Sequence, residues 1–104
     1  MELTIEELRR LCEAGAVRWT AHIVSRMLQR GLTRDDVIST IRNGEIIERC
    51  PTDYPFPSCL VLGVTLNRGP LHVVCDIGMG EAYMITCYIP DPREWDSNFR
   101  KRVQ

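Results

Sequence analysis

Apolar positions change their spacing once along this chain, and the change splits it into a helical first part and a sheet-forming second part. Before Gly44 they recur at three- and four-residue intervals. Thr4 and Glu7 form a capping-box pattern, Ile5, Leu8, Leu11 and Cys12 follow on one face, and Gly15 ends the run, which predicts a first helix. A second helix starts at Thr20 or Ala21 and closes at Gly31, where glycine accepts the left-handed conformation. Thr33 with Asp36 opens a third, with Val37, Ile38 and Ile41 as its apolar stripe and Gly44 at its end.

From Glu45 onward the spacing falls to two. "EIIERC", "SCLVLGVTLN", "LHVVCDIG" and "EAYMITCYI" read as four strands, the last three joined by the turn sequences "NRGP" and "GMGE", hence antiparallel neighbours. "PTDYPFP" is a rigid loop. In "PDPREW", Asp91 suits an N-cap, Pro92 the first helical position and Glu94 the third, which predicts a C-terminal helix with Trp95 and Phe99 packed inward and Arg100 to Gln104 fraying. The expectation is therefore a single α+β domain over residues 1–104, with three N-terminal helices, a four-stranded mainly antiparallel sheet and a C-terminal helix.

Composition narrows the classes. At 104 residues, 44% hydrophobic and 26% charged, the chain fills one domain with a modest core. Its longest apolar run, Cys59 to Leu66, is far below the roughly 20 residues of a membrane span. With no basic segment leading into an apolar one at the start, the expected location is cytoplasmic, away from membranes. A net charge of -1 gives no global pull toward nucleic acid, so any such role needs a local basic cluster. The five cysteines form no C-x-x-C pair and read as reduced thiols, leaving no expected metal site or disulfide framework. Walker, dinucleotide, H-E-x-x-H and G-x-S-x-G patterns are absent, so no cofactor is expected.

Two places could carry chemistry. On a helical wheel with His22 at zero, Arg26 falls near 40°, Gln29 near -20° and Arg30 near 80°, opposite an inward arc of Ile23, Val24, Met27 and Leu28. In "LHVVCDI", alternation puts His72, Val74 and Asp76 on one face of a strand, and in the next strand Met84, Thr86 and Tyr88 share a face. Metal-independent RNA cleavage needs a base, an acid and cations for the phosphorane charge, jobs that suit histidine, tyrosine and arginine. The same positions also suit a solvated helix face and a half-buried histidine bonded to Asp76 or to a backbone group.

"HIVSRMLQRGLTRDDVISTIRNGEIIERCPTDYPFPSCLVLG", "PLHVVCDI" and "YIPDPREW" together resemble the bacterial domain-of-unknown-function 4258 family from about Ala21 to Arg102. That family in turn resembles the RelE and BrnT toxins of toxin-antitoxin pairs. The resemblance implies a RelE-like fold, a messenger-RNA endoribonuclease, and a zinc-finger antitoxin of the YgiT type as partner. Carried onto this chain, it supports His22 and Arg26 as motif positions, with Arg30, His72 and Tyr88 as further candidates. The expected catalytic set is His22, Arg26, His72 and Tyr88, with Arg30 and Arg49 as expected substrate-binding cations. Cys50 stands where the family's I-I-E-x-Y-P pattern has tyrosine. The alternative is a non-catalytic interaction module that binds the zinc-finger partner. The endoribonuclease expectation has one geometric condition: the helix stripe must come within reach of His72 and Tyr88.

Overall fold

The computed structural model describes residues 2–65 and 67–103. Its elements are α1 (Ile5–Glu13), β1 (Val17–Trp19), α2 (Ala21–Arg30), α3 (Arg34–Asn43), β2 (Glu45–Cys50), β3 (Ser58–Thr65), β4 (Gly69–Gly78) and β5 (Glu81–Tyr88). Threonine caps all three helices: the hydroxyls of Thr4, Thr20 and Thr33 accept from the amides of Glu7, Ile23 and Asp36. The reciprocal half of the capping box forms only in α3, where Asp36 accepts from the Thr33 amide. In α1 the Glu7 carboxylate turns instead to Arg10, one helical turn on. Gly31, at φ 66°, closes α2 as its position predicts.

The α+β class holds, but the sheet has five strands, in the order β1-β5-β4-β3-β2. The extra strand, Val17–Trp19, pairs parallel with β5, Val17 opposite Ala82 and Trp19 opposite Met84. Three residues are too few for alternation to register, and a parallel partner more than sixty positions away leaves no turn signal between them. The other pairings are antiparallel. Leu66, which the alternation adds to the end of β3, lies outside the described residues.

The expected C-terminal helix does not form. Asp91 starts one turn, its carbonyl accepting from the amides of Glu94 and Trp95, and the chain then reverses. The reason is Asp96, whose carboxylate accepts from the amides of Asn98 and Arg100 and so caps a tight turn rather than continuing a helix. Phe99 takes a positive φ of 59° within that turn. Trp95 then bridges Arg102, closed by bonds from Asp96 N to the Lys101 carbonyl and from Val103 N to the Glu94 carbonyl. Arg100 to Val103 are thereby held in place, and Gln104 lies outside the described residues.

Helices cover one face of the sheet. Leu8, Leu11, Ile23, Met27, Val37 and Ile41 bury against Val61, Leu71, Val73, Cys75, Met84 and Cys87. On the opposite face Leu60, Leu62 and His72 are buried as well, so that β3 and β4 are covered on both sides. The reversed C-terminal segment lies over His72, and the Pro51–Pro57 loop brings Phe56 over Gly78, where a Cβ would come within 2.2 Å of the ring. No helix among the described residues is long and apolar enough to cross a membrane.

One close approach fixes the helical layer on the sheet. A Cβ on Gly63 of β3 would stand 2.5 Å from the Thr40 carbonyl oxygen and 2.7 Å from the Thr40 Cα, both backbone atoms of α3. Beside it, the Asn43 amide donates to the Val64 carbonyl and accepts from the Val64 amide, each at 2.9 Å. Helix and strand cannot separate without losing both bonds. Gly63→Ala is expected to lower unfolding free energy by about 1–3 kcal/mol, read as a lower denaturant midpoint with unchanged slope.

Candidate functional site

The two sets of residues singled out by sequence sit on opposite sides of the sheet. On α2, Ile23 and Met27 face the core, while His22, Arg26, Gln29 and Arg30 are exposed. Val24 and Leu28, expected on the inward arc, are 37% and 80% exposed. The helix is anchored along β5 by the line through Ile23 and Met27, so the 240° wheel position of Leu28 swings outward. Arg26 lies near enough to Cys87, a core-facing residue of β5, for its charge to favour the thiolate, although burial outweighs this and holds the thiol above its ordinary value.

Among the described residues, Arg26 and Arg30 have no carboxylate partner, and α2 carries no acidic residue. Arg68 adds a guanidinium at the end of this helix by donating to the Gly31 carbonyl at 3.3 Å. Sequence reasoning misses Arg68 because it sits in the β3–β4 turn, and nothing local ties it to α2. Arg49 is elsewhere again: it donates to the Leu3 carbonyl at 2.6 Å and does not join this stripe.

His72 and Tyr88 do come together, but under cover. They are directly opposed across β4 and β5, with His72 Nδ1 3.2 Å from the Tyr88 hydroxyl. Nε2 lies 2.9 Å from the Phe99 carbonyl oxygen. A carbonyl can only accept, so Nε2 carries the proton, Nδ1 is the acceptor, and the Tyr88 hydroxyl donates to it. The histidine is 0% exposed. Trp95 packs edge-on against it, ring centroids 4.4 Å apart at 85°, and Arg102 covers Trp95 at 4.7 Å while forking onto Glu48. Both ring nitrogens are used and no solvent reaches them.

Burial also decides the ionisation. Desolvation lowers the pKa of His72, against the Phe99 carbonyl and Glu48, which favour the proton, while Arg102 acts with burial. Burial raises Tyr88 likewise, so its hydroxyl keeps the proton that it donates. The chemistry available here is structural: a neutral imidazole fastens the C-terminal segment to the sheet.

The neighbours on this face differ in one respect from strict alternation. A bulge in β5 lets Val74 oppose Thr86 and Cys75 oppose Met84, which places Met84 in the helical core rather than beside Thr86 and Tyr88. The inserted residue, Ile85, has its carbonyl bonded by the Thr20 hydroxyl at 2.8 Å, at the start of α2. Asp76 is on the His72 face as expected, but four residues along, opposite Ser58 and Tyr83, where it does not bond His72. Among the described residues no group of three His, Cys, Asp or Glu side chains is arranged to hold a metal ion.

A depressed histidine pKa has a definite sign in stability. The unfolded chain takes up the proton near pH 6.5, before the folded chain does, so the contribution is full above that value and is lost as pH falls through it. Unfolding free energy is expected to drop between about pH 7 and about pH 5, and His72→Gln, whose amide can serve both partners, flattens that slope. Tyr88→Phe leaves Nδ1 buried without a donor and is expected to cost about 1–3 kcal/mol in denaturant titrations.

The family described as a domain of unknown function (DUF4258) matches residues 19–89. The match includes α2, α3 and β2 to β5, and stops short of the Pro90–Arg102 segment that the motif resemblance includes. No curated protein and no solved structure matches the chain. With most of its length inside that match, and with the helix stripe, His72 and Tyr88 all within it, the chain belongs to the DUF4258 family.

Proposed function

We propose that this chain is a non-catalytic protein-interaction module that receives an acidic partner on the outer face of α2. The observation that carries the reading is the separation of the candidate groups: His22 and Arg26 are exposed on the helical side, whereas His72 is buried and Tyr88 half-buried on the other. A general base must reach its proton directly or through one water, and His72 has no free ring nitrogen with which to do so. The outer face of α2 offers instead an 80% exposed leucine, Leu28, on a helix whose arginines Arg26 and Arg30 lack carboxylate partners. Arginine around an apolar contact is a composition enriched at protein interfaces, and it complements acidic side chains. The family resemblance supplies a partner: members are often encoded beside a small zinc-finger protein of the YgiT type, and such a neighbour is the proposed occupant of this face.

A second reading is the endoribonuclease toxin, with the base moved to His22. It is supported by an exposed histidine followed on the same helix by two guanidinium groups free to take phosphate oxygens. It leaves His72 and Tyr88 with their structural role, and it makes RNA the substrate.

Calorimetry with the purified neighbouring protein separates the two. For the module, Arg26→Glu combined with Leu28→Asp weakens binding by at least about tenfold, His72→Gln binds as the parent does, and expression alone leaves growth normal. Growth arrest with metal-independent RNA cleavage to 2',3'-cyclic phosphate ends, lost in His22→Ala and rescued by the neighbour, establishes the toxin instead. Neighbour binding unchanged by the α2 variant removes the proposed docking face.

A further inference from the structure

A second region has unsatisfied chemistry of its own. At the opposite end of the sheet's back face, a depression of about 390 Å³ is lined by Thr20, Tyr54, Pro55, Phe56, Asp76, Tyr83 and Ile85. Asp76 is only 5% exposed, and its Oδ1 is a fully shielded side-chain oxygen without a hydrogen-bond partner among the described residues. Leaving such an oxygen unbonded is costly in a folded chain, so it calls for a donor from outside the chain.

The surroundings specify the complement. Ser58, which opposes Asp76 across the strands, gives its hydroxyl to Asp53 rather than to Asp76. Burial raises the pKa of Asp76, and the one neighbouring charge that adds to the effect is another carboxylate, Asp53. An acidic floor without a cation of its own calls for a donor that brings positive charge, and it repels phosphate. The walls are aromatic: Phe56 and Tyr83 lie 6.0 Å apart, centroid to centroid, at 31°. Tyr54 stands 94% exposed at the rim, in a loop flanked by prolines at 51, 55 and 57. Flat aromatic walls and a carboxylate suit a planar cation, which stacks on the rings and donates two parallel hydrogen bonds to the acid.

We propose that this depression is a guanidinium-binding site, with Asp76 accepting the hydrogen bonds and Tyr54, Phe56 and Tyr83 stacking on the bound plane. The site is distinct from the α2 face: its recognition is of a cation, theirs of an anion, and it stands whether or not the α2 reading does. Guanidinium is carried both by free small molecules and by arginine side chains of other proteins, and both use the same contacts.

The test uses N-butylguanidinium, its neutral isostere N-butylurea, the peptide acetyl-Ala-Arg-Ala-amide and guanosine, titrated into the full chain with binding followed by amide NMR shifts. The expected result is saturable binding of butylguanidinium that perturbs the amides of Thr20, Tyr83 and Ile85, none comparable with butylurea, and an affinity at least about tenfold weaker in Asp76→Asn. Binding of the peptide alone also supports the site and assigns its ligand to a protein arginine; equal binding of both assigns it to the free group. Butylurea binding as well as butylguanidinium, guanosine binding more tightly than either cation, no binding by either cation, or affinity unchanged by Asp76→Asn overturns the proposal. Asp76→Asn keeps the shape of the side chain and removes a carboxylate whose raised pKa costs stability as pH rises, so it is expected to unfold at a higher denaturant concentration than the parent at neutral pH. That measurement shows the variant folded before its affinity is compared.

Discussion

Burial of β3 and β4 on both faces is the constraint from which the arrangement of the rest follows. A half-exposed antiparallel sheet needs one covering layer, and three short helices suffice for that. Here Leu60 and Leu62 point away from the helices and are still buried. A second cover is required, and the Pro51–Pro57 loop and the residues after β5 supply it. The C-terminal segment therefore gives up helix formation and lies as an irregular strap over the sheet.

His72 shows how that strap is secured. A loop crossing an apolar face exposes backbone carbonyls that have no ladder to join, and the Phe99 carbonyl is one of them. The imidazole donates to it from below and accepts from Tyr88, while Trp95 fills the space above and Arg102 with Glu48 closes the outside. A polar side chain in the middle of an apolar face thus becomes the point of attachment. The same contacts that make it structural engage both ring nitrogens, and an imidazole without a free lone pair or solvent access is not placed to take a proton from a substrate.

The helical layer has the complementary property. Thr20 both caps α2 and bonds the carbonyl of the bulged Ile85, so the start of the helix and the irregularity in β5 hold each other in place. From that anchor α2 runs along β5 with only Ile23 and Met27 fully engaged. With two buried residues on α2, a broad surface of the helix stays free, and Leu28 and the arginines are exposed on it. The bulge also releases Tyr83 and Ile85 to line the depression over Asp76, so one displaced residue shapes both the core and a pocket.

Much of the fold was legible in the residues. The helices and the four longer strands follow from periodicity, threonine caps and Gly31, because these signals are local: each depends on residues three or four positions apart, or on alternation within one run. The exposure of His22 and Arg26 was legible in the same way. Tertiary structure alone decided what depends on residues distant in sequence. It recruited Val17–Trp19 as a parallel edge strand, moved Met84 across the sheet through a bulge, and folded Asp91–Arg102 back as a strap instead of a helix. Most of all, it put the sheet between the two histidines. Alternation tells which residues share a face of one strand, whereas which layer covers that face is set by the competition of distant segments for apolar surface, and no local pattern encodes it.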